Sequence, residues 1–403
     1  MKTVLKFSLG WLCVVGMVGC GAASQTDVAE EETVGEQSAA LAYSELAKGL
    51  RHDFNGDLIE DIIVVKSVNA DQPGSFERLG TWGGGFQPST WTRPDLSGNS
   101  VSYVAGDFDG DHRTDLIITT SYGSFEYLGA GGGGFIADAW VRYDLTTANT
   151  EYVVGDFNND GKSDLIITTP GGTYEYLGRA GGGFDSYWSH PMVKGSVKFT
   201  TGDFNGDGTT DLIFTHAGGT TLYTGTAGPT GGFTPNVWIS YAYYQNYCQL
   251  FPGDFNGDGK SDLIIQIGTD ARELFGTSTG FTSPTWIRPE YALGNNVNFI
   301  PGDYNGDGKW DLIVADGSGA RLLPGRSSGG FGASTWFRSD ADSYHTAFKR
   351  GDFTGDGKDD LLITENLFPG TPGTKEYKGQ SVGLSSTSAW TDTTIVAGDS
   401  GVF

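Results

Sequence analysis

Cysteine, histidine and basic residues are scarce in this chain, and each scarcity excludes something. Three cysteines stand in 403 residues, at positions 13, 20 and 248. That is too few for a disulfide framework, so an exported domain of this sequence needs another stabiliser. The five histidines, His52, His112, His190, His216 and His345, form no HExxH zinc motif. Lysine and arginine number 25 against 49 aspartate and glutamate, a net charge of −24. Such a surface repels phosphate backbones and excludes nucleic acid as a partner. Long Ala/Leu/Glu/Lys stretches are missing, which argues against a helical protein. Glycine is plentiful, at 64 residues, but lacks the strict three-residue period of collagen. The 24 Phe, 18 Tyr and 10 Trp exclude a disordered chain. What is left is an all-β protein with many glycine-rich turns.

The N-terminus reads as an export segment. Lys2 and Lys6 precede an apolar run from Phe7 to Val18, too short for an ordinary membrane helix. Met17-Val18-Gly19-Cys20 puts a cysteine directly after a small residue, as lipid attachment requires. The stretch resembles the bacterial lipobox, which implies a signal peptide over 1–19, a lipid on Cys20 and a membrane contact made only through that anchor. Gly21 in place of an aspartate then implies the outer membrane or cell surface; cleavage after Gly21-Ala22-Ala23 is the alternative and gives a secreted protein. Residues 20–46 are acidic and nearly free of aromatics, and read as a flexible tether.

Residues 47–403 are one repeated unit. A nine-residue acidic segment recurs seven times, with starts 47 to 54 residues apart. A short apolar run follows each copy, such as Leu116-Ile117-Ile118, and suits a strand buried on both faces. Then come a second strand, a glycine-rich turn usually ending in Phe, a Trp, and a last strand leading to the next acidic segment. Four short strands per unit of about 50 residues make a propeller blade, and seven blades close a ring without open edges. The C-terminal Trp390–Asp399 stretch repeats the approach to an eighth loop and then stops, so its strand is expected to complete or reinforce the first blade.

The acidic segments suit calcium, a hard cation that takes six to eight oxygens. Side-chain ligands are expected from the first, third, fifth and ninth positions. These are Asp53, Asn55, Asp57 and Asp61, then Asp107, Asp109, Asp111 and Asp115, then Asp156, Asn158, Asp160 and Asp164. They continue with Asp203, Asn205, Asp207 and Asp211, then Asp254, Asn256, Asp258 and Asp262. The last sets are Asp303, Asn305, Asp307 and Asp311, and Asp352, Thr354, Asp356 and Asp360, where Thr354 is the weakest donor. The seventh residue gives its carbonyl, at Ile59, Arg113, Lys162, Thr209, Lys260, Lys309 and Lys358. Glycine at the sixth position permits the sharp turn; Leu58 and His112 replace it in the first two copies, so strain is expected there. An EF-hand would need a glutamate at position twelve, where Ile118 and Ile265 stand. The simplest role for such ions is to tie the turns in place of disulfides.

With these motifs the chain resembles the FG-GAP/VCBS repeat family, the seven-bladed propeller of integrin α chains. The resemblance covers about 47–403 and implies up to seven bound calcium ions. It is also similar to fungal lectins of integrin-like propeller fold, which implies binding of N-acetylglucosamine-type sugars between blades.

Catalysis is not expected. Two GxSxG matches, at Gly276–Gly280 and Gly325–Gly329, fall in glycine-rich turns without the helix a nucleophile elbow needs. A polysaccharide-active enzyme is the remote alternative. Binding is favoured, because Trp91-Arg93-Asp95, Trp140-Arg142-Asp144, Trp286-Arg288-Glu290 and Trp336-Arg338-Asp340 recur at one repeat position. An indole face can take a sugar ring while Arg and carboxylate bond its hydroxyls. Packing between blades is the competing role for the Trp. Glycans or cell-surface glycoproteins are the expected partners, and a protein-binding adhesion scaffold is the alternative.

Overall fold

The apolar runs after the acidic loops are strands whose side chains point alternately into two different cores. A computed structural model describes residues 52–66, 73–97, 101–191, 194, 197–217, 219–240, 248–282, 286–365, 373–393 and 401–402. The export segment, Cys20 and the tether lie outside the described residues. The chain forms seven four-stranded antiparallel sheets, the blades of a propeller. In the second blade the order is Ser102–Gly106, Asp115–Thr120, Gly123–Gly129 and Phe135–Arg142, each strand paired with the next. The strands leading into the acidic loops stand beside one another from blade to blade and line the centre.

Closure falls on the first blade as expected, but not through the Trp390–Asp399 stretch: Trp390–Asp392 is the outer strand of the seventh blade, and residues 394–400 lie outside the described residues. Gly401–Val402 pairs antiparallel with Ile62–Lys66, matching Val64 with Val402, and so supplies the inner strand of the first blade. Among the described residues no helix is long and apolar enough to cross a membrane.

Each junction between neighbouring blades holds its own apolar cluster. Ile63 and Val65 of the first blade pack with Tyr103 and Leu116 of the second, whereas Ile62 and Val64 pack against Phe353 and Leu362 of the seventh. The aromatic at the second loop position (Phe54, Phe108, Phe157, Phe204, Phe255, Tyr304 or Phe353) is fully buried in the junction core. This is why the runs are continuous rather than alternating: each sheet is covered on both sides.

A second fastener joins the blades. In five of them the third strand carries a buried glutamate: Glu77, Glu126, Glu175, Glu273 and Glu376. Each accepts the backbone N–H of Gly134, Gly183, Gly232, Gly330 or Gly85, in the turn of the following blade, at 2.7 to 3.1 Å. These turns all read Gly-Gly-Phe. Where the glutamate is replaced, by Leu222 and Leu322, the following turns read Thr279-Gly280-Phe281 and Val382-Gly383-Leu384. A hypothetical Cβ on Gly383 would lie 3.0 Å from Leu322, so the leucine fills the glutamate's place.

Burial pushes the Glu126 and Glu175 carboxyls up to about 7, from an ordinary 4.5. Between those values the folded chain keeps protons that the unfolded chain has released, so this contribution to stability is lost as pH rises from about 4.5 through 7. Glu126→Gln with Glu175→Gln retains an acceptor for Gly183 and Gly232 and removes the titration. Urea midpoints at pH 5 and pH 8 should diverge less in the double variant than in the parent, by up to a few kcal/mol of stability. An identical pH slope in the two proteins would contradict the assignment.

Candidate cation loops and inter-blade forks

Six of the acidic loops join an inner strand to the second strand of their blade and the first leads into the equivalent strand Ile62–Lys66, so all seven lie on one face of the ring. Their side chains turn inward because backbone N–H groups hold them. Asp254 is representative: Oδ1 accepts from Gly257 and Asp258 at 2.7 and 3.1 Å, and Oδ2 from Gly259 at 2.8 Å. The fifth-position Asp258 accepts the N–H of Lys260 at 3.0 Å. The ninth residue is wholly buried in every copy. In the second blade Asp115 accepts from Phe108 N–H at 2.8 Å and Gly129 N–H at 2.9 Å, which ties the loop to the end of the third strand. The glycine bond recurs at Asp61, Asp164, Asp211, Asp262, Asp311 and Asp360, at 2.7 to 3.0 Å.

Burial, reinforced by the neighbouring aspartates, pushes Asp61, Asp115, Asp262 and Asp360 up to about 8 and Asp211 and Asp311 to about 7. Asp164 is raised in the same way. An ionised carboxylate at these depths calls for a cation close by. The donor set fits a hard one, being all oxygen. Oxygens of Asp107, Asp109 and Asp115 all lie within 4.8 Å of one another. In the seventh loop the Thr354 hydroxyl is buried without a hydrogen-bond partner at the third loop position, free to ligate. In the fifth and sixth loops the third-position amide nitrogen donates to Asp262 and Asp311, so a cation there requires Asn256 and Asn305 to turn their oxygens inward.

The Trp-Arg-carboxylate triplets stand at the opposite end of the sheets. Arg142 pairs in register with Ser124, next to the Thr120–Gly123 hairpin and away from the loop that ends at Asp115. The indoles pack between blades: Trp91, Trp140, Trp286 and Trp390 each meet, edge to face, the Phe of the next blade's turn at 5.1 to 5.2 Å. Trp286 and Trp336 are buried, at 6 % and 7 % exposure. The arginines form forks. Arg93 holds Asp95 through two bonds of 3.0 and 2.7 Å and donates to Tyr127 Oη of the next blade at 2.7 Å. Arg142 does the same with Asp144 and Tyr176. Arg338 grips Asp340 and lies over the Tyr377 ring, and Arg288 reaches Glu290 at 3.6 Å. In the third blade His190 takes the arginine's place, 3.4 Å from Tyr223 Oη. The carboxylates remain open, with Asp95, Asp144, Glu290 and Asp340 side chains 52 to 65 % exposed. Exposed apolar side chains at the same strand ends, Tyr143, Ile287 and Phe337, were not singled out by sequence; their position beside a fork arginine was the available signal. The two GxSxG segments lie in turns between strands, Gly276–Phe281 being a two-stranded hairpin.

Comparison with known proteins gives the same picture. The FG-GAP-like repeat profile matches residues 53–118, 156–214, 203–265 and 303–363. No curated protein sequence matches significantly. Among solved structures, an Agrocybe aegerita lectin specific for non-reducing terminal N-acetylglucosamine superposes with a TM-score of 0.65 at 14 % identity, covering 85 % of this chain and 94 % of the lectin. A Lactobacillus plantarum protein gives 0.54 at 10 % identity, covering 85 % and 98 %. A rhamnogalacturonan lyase reaches only 0.27 at 17 % identity, covering 78 % and 59 %. At identities this low the first two likenesses establish a shared fold and nothing finer.

The expected strain at the sixth loop position is present. Leu58 and His112 have φ of 70° and 67°, where the other loops place glycine at 79° to 86°. The left-handed conformation costs a side chain about 1–2 kcal/mol, and glycine's extra unfolded-state entropy returns about half of that. Leu58→Gly and His112→Gly should each raise stability by ~0.5–1 kcal/mol in urea unfolding; a loss at both positions would show that the side chains contribute contacts worth more than the strain.

Proposed function

Because the chain belongs to the FG-GAP-like repeat family, we propose that it is an exported, calcium-stabilised binding module of the lectin type, without catalytic activity of its own. The observation that carries this reading is the set of exposed carboxylates, Asp95, Asp144, Glu290 and Asp340, each paired with an arginine on the face opposite the loops. In the first two blades the arginine is already committed to its carboxylate and to a tyrosine. The carboxylate therefore presents its remaining lone pairs in a fixed direction, which suits sugar hydroxyls. Weak sites repeated around one rigid ring give avidity. The likeness of fold to an N-acetylglucosamine-recognising lectin supports the choice of ligand class.

On the loop face, the oxygens of the first, third, fifth and ninth residues with the seventh carbonyl would hold calcium, which would supply positive charge to the buried carboxylates. Lipid on Cys20 would keep the ring at a cell surface.

Two measurements test the reading. Cations bound only by the native state add stability by mass action, about 2.7 kcal/mol for a site at a hundred times its Kd. Chelation should therefore lower the melting temperature by about 10 °C or more, and an unchanged transition would remove the calcium role. On a glycan array in millimolar calcium, the chain should bind glycans ending in N-acetylhexosamine. Changing Asp95, Asp144 and Asp340 to Asn and Glu290 to Gln should abolish that signal while shifting stability by no more than about 0.5 kcal/mol per site. Full binding by the quadruple variant would place the sugar sites elsewhere, and failure of the parent on every glycan would favour a protein ligand.

A further inference from the structure

Resting on the calcium reading above, we infer that the seventh loop residue is a built-in counter-cation that divides the seven sites into a tight class and a weak class. In five loops this residue is basic, and its charged end sits on the fifth-position carboxylate of its own loop. Arg113 pairs with Asp111, Lys162 with Asp160, Lys260 with Asp258, Lys309 with Asp307 and Lys358 with Asp356. The four lysine contacts measure 2.6 to 3.2 Å.

These side chains are not free to swing away. Each stem runs across the fourth-position glycine of the preceding loop, close enough to exclude any side chain there. A Cβ built on Gly56, Gly110, Gly206, Gly257 or Gly306 would lie 2.7 to 3.1 Å from the Cγ of the next loop's basic residue. The exceptions follow the same rule. The fourth loop has Thr209 at the seventh position, and there the preceding loop replaces glycine with Asn159, held at φ 57°. The Asn159 side chain reaches toward that loop, its Nδ2 3.4 Å from a Cβ built on Gly208. The first loop has Ile59, and the Gly355 it faces is covered by Ile59 and the Trp82 ring instead. A glycine that serves only the turn would not track the size of a residue in the next blade.

Charge then sorts the loops. Each contains three ligand aspartates, except the second, which has Asp109 as a fourth. Subtracting the tethered cation leaves −3 in the first, second and fourth loops and −2 in the third, fifth, sixth and seventh. Ligand charge sets calcium affinity in oxygen-ligand loops. A fixed ammonium on the fifth-position carboxylate also repels the ion that the carboxylate would hold.

The test is a calcium titration of the chelator-stripped full chain by calorimetry. The expected isotherm has two phases, about three tight sites and four weak ones, separated at least tenfold in Kd. Lys260→Met and Lys309→Met keep the stems over Gly206 and Gly257 and remove only the charge. Together they should move two sites into the tight phase, raising its stoichiometry from three to five. Lys260→Arg with Lys309→Arg should leave it at three, which separates charge from packing. Circular dichroism and the calcium-free melting temperature establish that each variant is folded. Seven equivalent sites, or an unchanged tight phase in the methionine variant, would overturn the inference and leave calcium binding itself standing. No calcium uptake at all would remove both.

Discussion

A buried carboxylate at the ninth position of each acidic loop holds the blade together. It accepts backbone N–H groups from both ends of its surroundings, the loop's second residue or its neighbour and the glycine that ends the third strand. The second residue is the aromatic that fills the junction with the adjacent blade, so one side chain fixes loop, sheet and junction. Its depth makes the ionised form costly in all seven copies, and the first-position aspartate beside it adds to that cost. Clustered buried acids are the reason the proposed cation would matter to this ring, and the scarcity of cysteine is the reason it would have few substitutes.

The rest of the cohesion comes from pairs of blades rather than from single ones. Apolar clusters, the glutamate-to-turn bonds, the Trp–Phe contacts and the Arg–Tyr bonds all cross a junction. No sheet buries its surface alone, and the last strand returns to the first sheet so that every junction has two sides. The two faces divide the labour. Loops with their buried acids occupy one end of the sheets, and forks with exposed carboxylates occupy the other. On the proposed reading, the exposed carboxylates of one face could vary without disturbing the buried acids of the other.

What could be read in the sequence was whatever repeats locally. The nine-residue loop, the doubly covered strands and the strain at Leu58 and His112 all follow from short segments taken alone, whereas the closing strand, Gly401–Val402, lies beyond the segment that repeats the loop approach. Contacts between blades were not legible in that way. Glu126 and Gly183 are 57 residues apart, and nothing near either one names the other until the ring sets blade beside blade. The same holds for Arg142 and Tyr176, which give the arginine a structural partner in addition to Asp144. The recurring Trp has two possible uses on sequence alone, and its ring is engaged in junction packing, most fully at Trp286 and Trp336. Recurrence of a residue type marks a position as constrained without telling which neighbour constrains it.

Crystals grown in calcium and measured for anomalous scattering test the central claim most directly, namely that the buried aspartates are gathered around a cation. Each loop should show a peak bounded by its first, third, fifth and ninth side chains and its seventh carbonyl, with oxygens about 2.3–2.6 Å away. Loops without such a peak at millimolar calcium, with the ninth-position carboxyls still bonded to the same backbone N–H groups, would contradict it.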